Sequence, residues 1–308
     1  MILSASRRTD IPCFYADWFI NRLRAGYALT RNPWRPHEVY RIPLNPQTVD
    51  CIVFWTKDPA PLLPRLREIE EMGYSYCFQF TLTGYGRDLE AGLRPKEEIL
   101  RTFLELSRRV GLARIQWRYD PILLWGEWDI QRHIRCFSAL CERLAAHTRG
   151  VTISFLDVYR RLRAAGFREL TQAEMEALGE GIGQAAGRYG LPVSTCCETV
   201  DLSRFHIAKG ACIGRDMLEA ACGCALEIPK DKNQRPGCGC LSSVDIGAYS
   251  TCANGCMYCY ASDGPAAVRQ RRALHRPDGP LLYGDLGAAD TIRERAFSSF
   301  RTGQIRLG

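Results

Sequence analysis

The sequence predicts an α/β fold in which about six parallel strands form a full or partial (β/α) barrel, followed by a cysteine-rich extension. Three observations predict it. Apolar, β-rich runs alternate with amphipathic segments about six times; the runs end in polar residues; and beyond about residue 199 the alternation fades while cysteine and glycine become frequent. Such alternation implies a parallel sheet with right-handed crossovers. We therefore expect a barrel-like domain over 1–199 and an extension over 200–308 that covers the C-terminal ends of the strands.

Each predicted strand is a short run that is apolar nearly throughout, as expected where both faces of a sheet are covered. The runs are MILSAS (1–6), DCIVFWT (50–56), YSYCFQFTLT (74–83), ARIQWRY (113–119), GVTISFLDVY (150–159) and LPVSTCC (191–197). An open doubly wound sheet would satisfy the same alternation. No G-x-G-x-x-G follows the first run, which weakens a dinucleotide-binding interpretation.

The segments between the strands carry apolar residues at three- and four-residue spacing, which predicts helices. The predicted helices are 59–73, 96–111 and 171–190, with a further one over 288–300 in the tail. The third opens with a Thr171-x-x-Glu174 capping box and closes at Gly190, a glycine suited to the position after a helix.

Composition excludes several classes of protein. The chain is 46% hydrophobic and 24% charged, and no window holds 18 consecutive apolar residues, which argues against a membrane protein. The N-terminus lacks a secretory pattern, which predicts a cytoplasmic location. Fifteen cysteines in such a chain favour metal binding or redox chemistry over disulfides. The net charge of +7 permits a phosphate-bearing partner; we expect a small-molecule substrate, with nucleic acid as the other possibility.

Polar side chains end every predicted strand, and in α/β barrels the working site lies at that face. The candidates for contact with substrate are Arg7, Arg8, Lys57, Arg118, Tyr119 and Asp120. Simpler roles exist for some polar residues of these tips: Asp10 fits a helix N-cap before Pro12, Asp58 and Asp120 each precede a proline, and Arg118 and Asp120 can pair with each other. Tyr85, Tyr119 and Tyr159 are possible hydrogen donors or stacking surfaces.

The segment STCANGCMYCYA (250–261) places Cys252, Cys256 and Cys259 in a C-x-x-x-C-x-x-C spacing. Structural zinc wants four ligands, and Cys238 or Cys240 could complete such a set. Three thiolates without a fourth also suit a [4Fe–4S] cluster that keeps one iron open for a substrate or cofactor atom.

This motif, with Tyr258 before its last cysteine, resembles that of the radical S-adenosylmethionine enzymes. The resemblance implies that Cys252, Cys256 and Cys259 bind a catalytic [4Fe–4S] cluster whose open iron chelates S-adenosylmethionine. It also implies a barrel fold, Tyr258 near the adenine, and reductive cleavage of the cofactor to start radical chemistry. The strand-tip residues Glu198, Thr83 and Asp157 are the further candidates for holding the cofactor.

One departure from that superfamily is large, because its cysteine loop usually follows the first strand. The whole chain resembles more closely an uncharacterised bacterial family of domain-of-unknown-function proteins with a C-terminal cysteine cluster of this type. The segments that carry this resemblance are SASRRTDIP (4–12), VFWTKDP (53–59), WRYDPIL (117–123), KDKNQR (230–235) and DIGAYSTCANGCMYCYA (245–261). It supplies a cofactor class and no substrate.

The remaining cysteines of the extension provide a second candidate metal site. Its ligands are predicted as Cys196, Cys212, Cys238 and Cys240, holding an auxiliary [4Fe–4S] cluster or, at the same thiolates, structural zinc. The family resemblance favours Cys196 over Cys197 and places Cys222 and Cys224 in a variable stretch. Five others are most simply buried small apolar residues: Cys13, Cys51, Cys77, Cys136 and Cys141.

The function predicted is that of a radical S-adenosylmethionine enzyme of unknown substrate, reduced by a donor such as a ferredoxin or flavodoxin. Two non-enzymatic functions stay open: a nucleic-acid-binding protein organised by zinc, and an iron–sulfur redox sensor.

Overall fold

The structure is a computed structural model and describes residues 1–235 and 237–305, of which 303–305 are described by their backbone alone. Its strands are β1 (Ile2–Ala5), β2 (Tyr27–Arg31), β3 (Glu38–Pro43), β4 (Cys51–Thr56), β5 (Tyr76–Thr81), β6 (Ile115–Ile122), β7 (Val151–Phe155), β8 (Val193–Cys196), β9 (Ile207–Gly210), β10 (Cys224–Leu226), β11 (Val244–Asp245), β12 (Thr291–Glu294) and β13 (Arg301–Ile305). Its helices are α1 (Ile11–Phe14), α2 (Ala16–Ala25), α3 (Leu66–Glu71), α4 (Lys96–Val110), α5 (Ile130–Leu144), α6 (Arg160–Ala164), α7 (Gln172–Gly187), α8 (Arg215–Cys222) and α9 (Pro265–Ala273).

The main sheet has eight strands in the order β11-β1-β4-β5-β6-β7-β8-β9, and every neighbouring pair is parallel. The six predicted strands are its six central members, in chain order. Both outer strands, β9 and β11, come from the extension. The α/β class and the parallel sheet are therefore confirmed. Among the described residues β9 and β11 do not pair, so closure of the sheet into a full barrel is not shown.

The two faces of this sheet pack against different parts of the chain. One face carries large side chains such as Phe54, Phe78 and Trp117, which form the main core with α2, α3, α4, α5 and α7. The opposite face carries Ile2, Val53 and Cys77, which pack against the extension. Extension residues in that second core include Ile213, Met217, Leu218, Leu226 and Ile228. Each such apolar side chain contributes about 1.5–3 kcal/mol when fully buried, so the extension is part of the folded core.

The middle of the extension is tied to the tip of β1. β11 pairs with β1, with Asp245 opposite Ser4. The Asp245 carboxylate accepts hydrogen bonds from Ser4 Oγ at 2.9 Å, Ser6 Oγ at 2.6 Å and the backbone N–H of Arg7 at 2.8 Å. This carboxylate fixes the direction in which the chain leaves β1.

The helix predictions are confirmed in the middle of the chain and wrong in the tail. α4 ends before Gly111, and the Thr171 capping box on α7 is present. The first predicted helix begins only at Leu66, with a short 3-10 turn before it, because prolines occupy its opening residues. No helix forms over 288–300: β12 instead pairs in parallel with β3, whose other edge pairs with β2, so this segment satisfies its backbone groups in a three-stranded sheet.

None of the helices within 1–235 and 237–305 is long and apolar enough to cross a membrane.

Candidate functional site

A cavity of about 440 Å³ lies at the C-terminal ends of the central strands. Two groups of predicted residues line it together. The strand-tip residues in its wall are Arg7, Arg8, Lys57, Arg118, Asp120 and Asp157. The cysteines in its wall are Cys196, Cys212, Cys238, Cys240, Cys252, Cys256 and Cys259, with Cys197 beside them. The extension therefore returns over the strand ends, and all seven cysteines predicted as ligands face the same space as the polar tips.

The loop that carries Cys252, Cys256 and Cys259, which we call the cysteine loop, is held by the segment that follows β5. Leu89 accepts a hydrogen bond from Met257 N at 2.9 Å, and Gly92 N donates to Asn254 O at 2.9 Å. Gly92 has no room for a side chain, because a Cβ there would clash with the Ala253 carbonyl oxygen. This backbone contact fixes how closely the cysteine loop packs against the segment that follows β5.

A buried charge network fixes the same loop from below. Glu90 is 1% exposed and forms ion pairs with Lys57, at 2.8 Å, and with Lys96. The Tyr258 hydroxyl donates to Glu90 and accepts from Lys57 Nζ at 3.0 Å. Burial alone would raise the pKa of Glu90, but the two ammonium charges outweigh it and hold that pKa at about 2. Glu90 is therefore a permanent anion that orients both Lys57 and Tyr258.

The thiols of the cysteine loop are protonated as they stand. Burial raises the pKa of Cys256 to about 12 and raises that of Cys252 and Cys259 as well. A cysteine binds a metal as its thiolate, so a metal that binds here displaces the thiol protons, and its positive charge offsets the cost of burying the thiolates.

The second group of cysteines, which we call the assembled set, is Cys196, Cys212, Cys238 and Cys240. The Sγ atoms of Cys196 and Cys212 lie 2.7 Å apart, and Arg118 Nη1 donates to Cys212 Sγ at 2.7 Å. Contact with the Cys212 thiol lowers the pKa of Cys196 to about 7 and that of Cys240 to about 5, while burial raises that of Cys238 to about 11. These residues come from β8, the turn after β9 and the loop before β11.

Arg118 connects the assembled set to the strand tips. Its guanidinium forms a buried ion pair with Asp120, whose other oxygen accepts from Ser154. The charge of Arg118 outweighs burial and keeps the pKa of Asp120 below its usual value. The centroid of the Trp55 ring lies 5.3 Å from the guanidinium carbon of Arg118 and 5.0 Å from that of Arg7. The pairing expected for Arg118 and Asp120 is thus present, within the cavity wall.

Four predicted residues lie outside the cavity wall. Tyr85 is fully buried, and its hydroxyl donates to the Pro121 carbonyl oxygen at 2.7 Å. Tyr119 points into the helix-packed core, where its hydroxyl lies 3.0 Å from His133 Nδ1; alternation along a strand sends it opposite to Arg118 and Asp120. Thr83 Oγ1 lies 3.4 Å from Glu90, behind the wall. Glu198 accepts a hydrogen bond from Phe155 N at 2.9 Å, and burial raises its pKa to about 7.

The simpler roles expected for two carboxylates are also observed. Asp10 caps α1 by accepting from Cys13 N at 3.0 Å, but it also accepts from Lys57 N at 2.8 Å and Asn254 at 3.1 Å. Burial raises the pKa of Asp10 to about 6. Asp58 accepts a hydrogen bond from Ala60 N at 3.3 Å in the turn that contains Pro59, as expected. It also pairs with Nε and Nη2 of Arg94, at 2.6 and 2.7 Å.

The polar atoms and thiols that face this cavity indicate which ligands would fit it. Four buried polar atoms of its wall have no hydrogen-bond partner among the described residues: Arg7 Nη2, Thr9 Oγ1, Trp55 Nε1 and Asn254 Oδ1. A buried polar group without a partner costs about 1–3 kcal/mol, so four on one wall indicate a polar ligand. Soft thiols are the donor type that iron–sulfur clusters use. Within 1–235 and 237–305, no group of three or more His, Cys, Asp or Glu side chains has an arrangement that could hold a metal ion.

Comparison with known families places the chain. Residues 2–261 match the model of the family described as Domain of unknown function (DUF1848). The chain belongs to the DUF1848 family. No curated protein matches the chain. No solved structure matches it either.

The DUF1848 match contains the complete wall of the cavity, which runs in sequence from Ser6 to Ala261. The family therefore covers both groups of cysteines, while most of the tail lies beyond it. No role was predicted for Glu90, Asn254 or Asp245, although Asn254 lies within the cysteine motif and Asp245 begins the segment 245–261. Their contacts with Lys57, Asp10 and Arg7 position residues of the cavity wall. A buried acid in a loop such as GYGRDLEAGLRP has no periodic pattern to reveal it.

Proposed function

We propose that the protein is an enzyme that holds a [4Fe–4S] cluster on Cys252, Cys256 and Cys259 and binds S-adenosylmethionine at its open iron. One observation carries the proposal: the cysteine loop and the C-terminal tips of the strands line a single cavity. When bound, these two groups supply a radical that abstracts hydrogen from a substrate. The substrate would lie against the strand tips.

The chain's own residues would bind and orient the reactants. The unpartnered donors Arg7 Nη2 and Trp55 Nε1 suit a carboxylate or phosphate, and the Asn254 oxygen suits an ammonium or amide donor. Tyr258, locked by Glu90 and Lys57, offers a ring at the floor of the cysteine loop. Asp157 forms an ion pair with Arg235, which holds the end of the 230–235 loop in the cavity wall.

We also propose that the sheet is a partial barrel whose interior the extension fills. The packing of Ile213, Met217 and Leu218 on the face formed by Ile2, Val53 and Cys77 supports this geometry. An interior filled in this way leaves only the C-terminal end of the barrel for chemistry.

The assembled set would hold an auxiliary [4Fe–4S] cluster. The short distance between the Cys196 and Cys212 sulfurs supports Cys196 as the ligand at the end of β8. Structural zinc on the same thiolates is the competing assignment. A cytoplasmic location and reduction by a ferredoxin or flavodoxin belong to the same proposal.

The experiment is to purify the protein without oxygen, count iron, zinc and sulfide, and record the electron paramagnetic resonance spectrum of the reduced protein with and without S-adenosylmethionine. About eight irons per chain, with one signal shifted by the cofactor, is the expected result. About four irons with a shift would keep the enzyme and assign zinc or bare thiols to the assembled set. Zinc alone, or an iron signal indifferent to the cofactor, would overturn the proposal in favour of a binding protein or redox sensor.

A further inference from the structure

A second groove, of about 630 Å³, adjoins the cavity and has no part in the function proposed above. The two spaces share three wall residues, Arg8, Tyr159 and Tyr260. The outer wall comes from the β2–β3 loop and from the tail around 281–283. Each space alone is the size of a small-molecule site, but joined end to end they form a channel suited to an extended chain.

Exposed aromatic side chains concentrate on this groove. Four aromatic residues of the described chain are strongly exposed: Trp34 at 88%, Tyr260 at 57%, Tyr159 at 51% and Tyr189 at 42%. The first three line the groove, and Tyr189 alone lies elsewhere. An exposed tryptophan is costly to solubility, so this grouping marks a binding surface.

Trp34 is held outward by a fixed loop. Asn32 Oδ1 accepts hydrogen bonds from Trp34 N at 2.9 Å and from Arg35 N at 3.3 Å, and Asn32 Nδ2 donates to Glu38 at 2.9 Å. The exposure of the indole is therefore built into the turn. A preformed aromatic surface loses little conformational entropy when it stacks on a ligand.

Cations without ion pairs accompany these aromatics. Arg8 lies in the shared wall, Arg35 follows Trp34 and Arg160 follows Tyr159, and none of the three forms a salt bridge within 1–235 and 237–305. Two other groove arginines are already paired: Arg31 with Asp290 at 2.7 Å, and Arg271 with Asp263 at 3.8 Å. Arg8 is thus an arginine of the groove wall without an ion pair among the described residues, and Arg35 and Arg160 add positive charge next in sequence to Trp34 and Tyr159.

We propose that this groove binds a single-stranded nucleic acid, with bases stacked on Trp34, Tyr159 and Tyr260 and phosphates near Arg8, Arg35 and Arg160. Alternating aromatic platforms and unpaired arginines are the chemistry that recognises single strands without sequence readout. This proposal rests on the proposed function, because it also names the substrate. A nucleotide of the bound strand would pass Arg8, which lines both spaces, and enter the cavity.

The test is fluorescence anisotropy with a labelled twelve-nucleotide oligouridylate, and the matching oligothymidylate, on wild type, W34A and the control Y189A. Stacking of a base is worth about 1–3 kcal/mol, so W34A should weaken binding roughly 5- to 150-fold, while Y189A should bind as wild type. Binding should weaken as salt rises, and R35Q/R160Q should flatten that dependence.

Three results would overturn the inference: no binding of either oligonucleotide, equal binding by W34A and wild type, or displacement by an acidic aromatic peptide that binds more tightly than the oligonucleotides. Heparin provides the control for charge alone, because it lacks bases and should bind W34A and wild type equally. The assay needs no cofactor and is run on metal-free and iron-loaded protein. Its failure therefore leaves the iron and spectroscopic test of the enzyme unaffected, and the reverse also holds.

Discussion

The cysteine loop and the assembled set line one cavity, yet they are built in different ways. The cysteine loop gathers its thiols within eight residues, and burial keeps all three protonated. The assembled set draws its thiols from three separate parts of the chain, and contact with Cys212 lowers the pKa of two of them. The cysteine loop can therefore be recognised in the sequence as a short motif. The assembled set is defined only when the sheet and the extension have folded together.

The sharpest way to separate the two groups is to remove one thiol from each. C256S should lose about half of the iron and all response of the spectrum to S-adenosylmethionine, because only the cysteine loop would present an open iron. C240S should lose a similar amount of iron, or bound zinc, and keep the response. C141A, a buried thiol remote from both groups, should change neither. A cofactor response that survives C256S and disappears in C240S would reverse our assignment of the two groups.

The cysteine loop depends on the buried charge network centred on Glu90. E90Q removes the anion and leaves Lys57 and Lys96 without their partner, which should cost about 3–5 kcal/mol in the free energy of unfolding. Urea denaturation of the metal-free protein measures the loss. The matched control is E71Q, which breaks an exposed pair with Arg67 and should cost less than about 1 kcal/mol. Equal costs for both variants would show that the network contributes nothing beyond a surface pair.

A smaller effect is expected on the pH dependence of the free energy of unfolding, because Asp10 is buried against Asn254 of the cysteine loop. Burial raises the pKa of Asp10 from 3.8 to about 6, so the carboxyl is neutral in both folded and unfolded protein below about pH 4 and charged in both above pH 6. Burying that charge should lower stability by about 3 kcal/mol as pH rises through this window. D10N should remove that part of the decline. The measurement is the difference in unfolding free energy between wild type and D10N from pH 4 to 7, and a constant difference would contradict the prediction.

The smallest effect tests the close backbone contact between Gly92 and the cysteine loop. G92A introduces a Cβ against the Ala253 carbonyl and should cost about 1–3 kcal/mol, with a weaker spectroscopic response to S-adenosylmethionine. G187A, at the end of α7, meets no atom within 4 Å and should be neutral or slightly stabilising. Thermal unfolding of both variants decides whether the contact or the loss of a glycine matters.

Much of the fold was predictable, because six strands of continuous apolar residues and helices such as α7 with its capping box carry strong local signals. β9 and β11 were not, since IAKG and VD are too short and too polar to resemble strands and pair only because the sheet edges are available. The helix predicted over 288–300 does not form, again because of a contact between distant parts of the chain. Long-range pairing with β3 outweighed a local pattern.

The candidate site divides in the same manner. The C-x-x-x-C-x-x-C spacing and the polar strand tips were visible in the sequence, and the structure places them in one wall. Tyr119 was misjudged because the direction of a side chain depends on strand register, and Tyr119 is one residue out of step with Arg118. Glu90 was missed because its importance comes from Lys57, Lys96 and Tyr258, which only folding brings to it.

The pairing of β11 with β1 has a consequence for how the protein is made. β1 is translated well before β11, so its outer edge stays uncovered until residues 244 and 245 have been translated. The face of Ile2, Val53 and Cys77 likewise waits for the segment that contains Met217. An open edge and a bare apolar face are sites of aggregation, so the nascent chain needs protection for most of its synthesis. The wall of the cavity is complete only after Ala261 has been translated, so a metal can bind at the full site only from that point on.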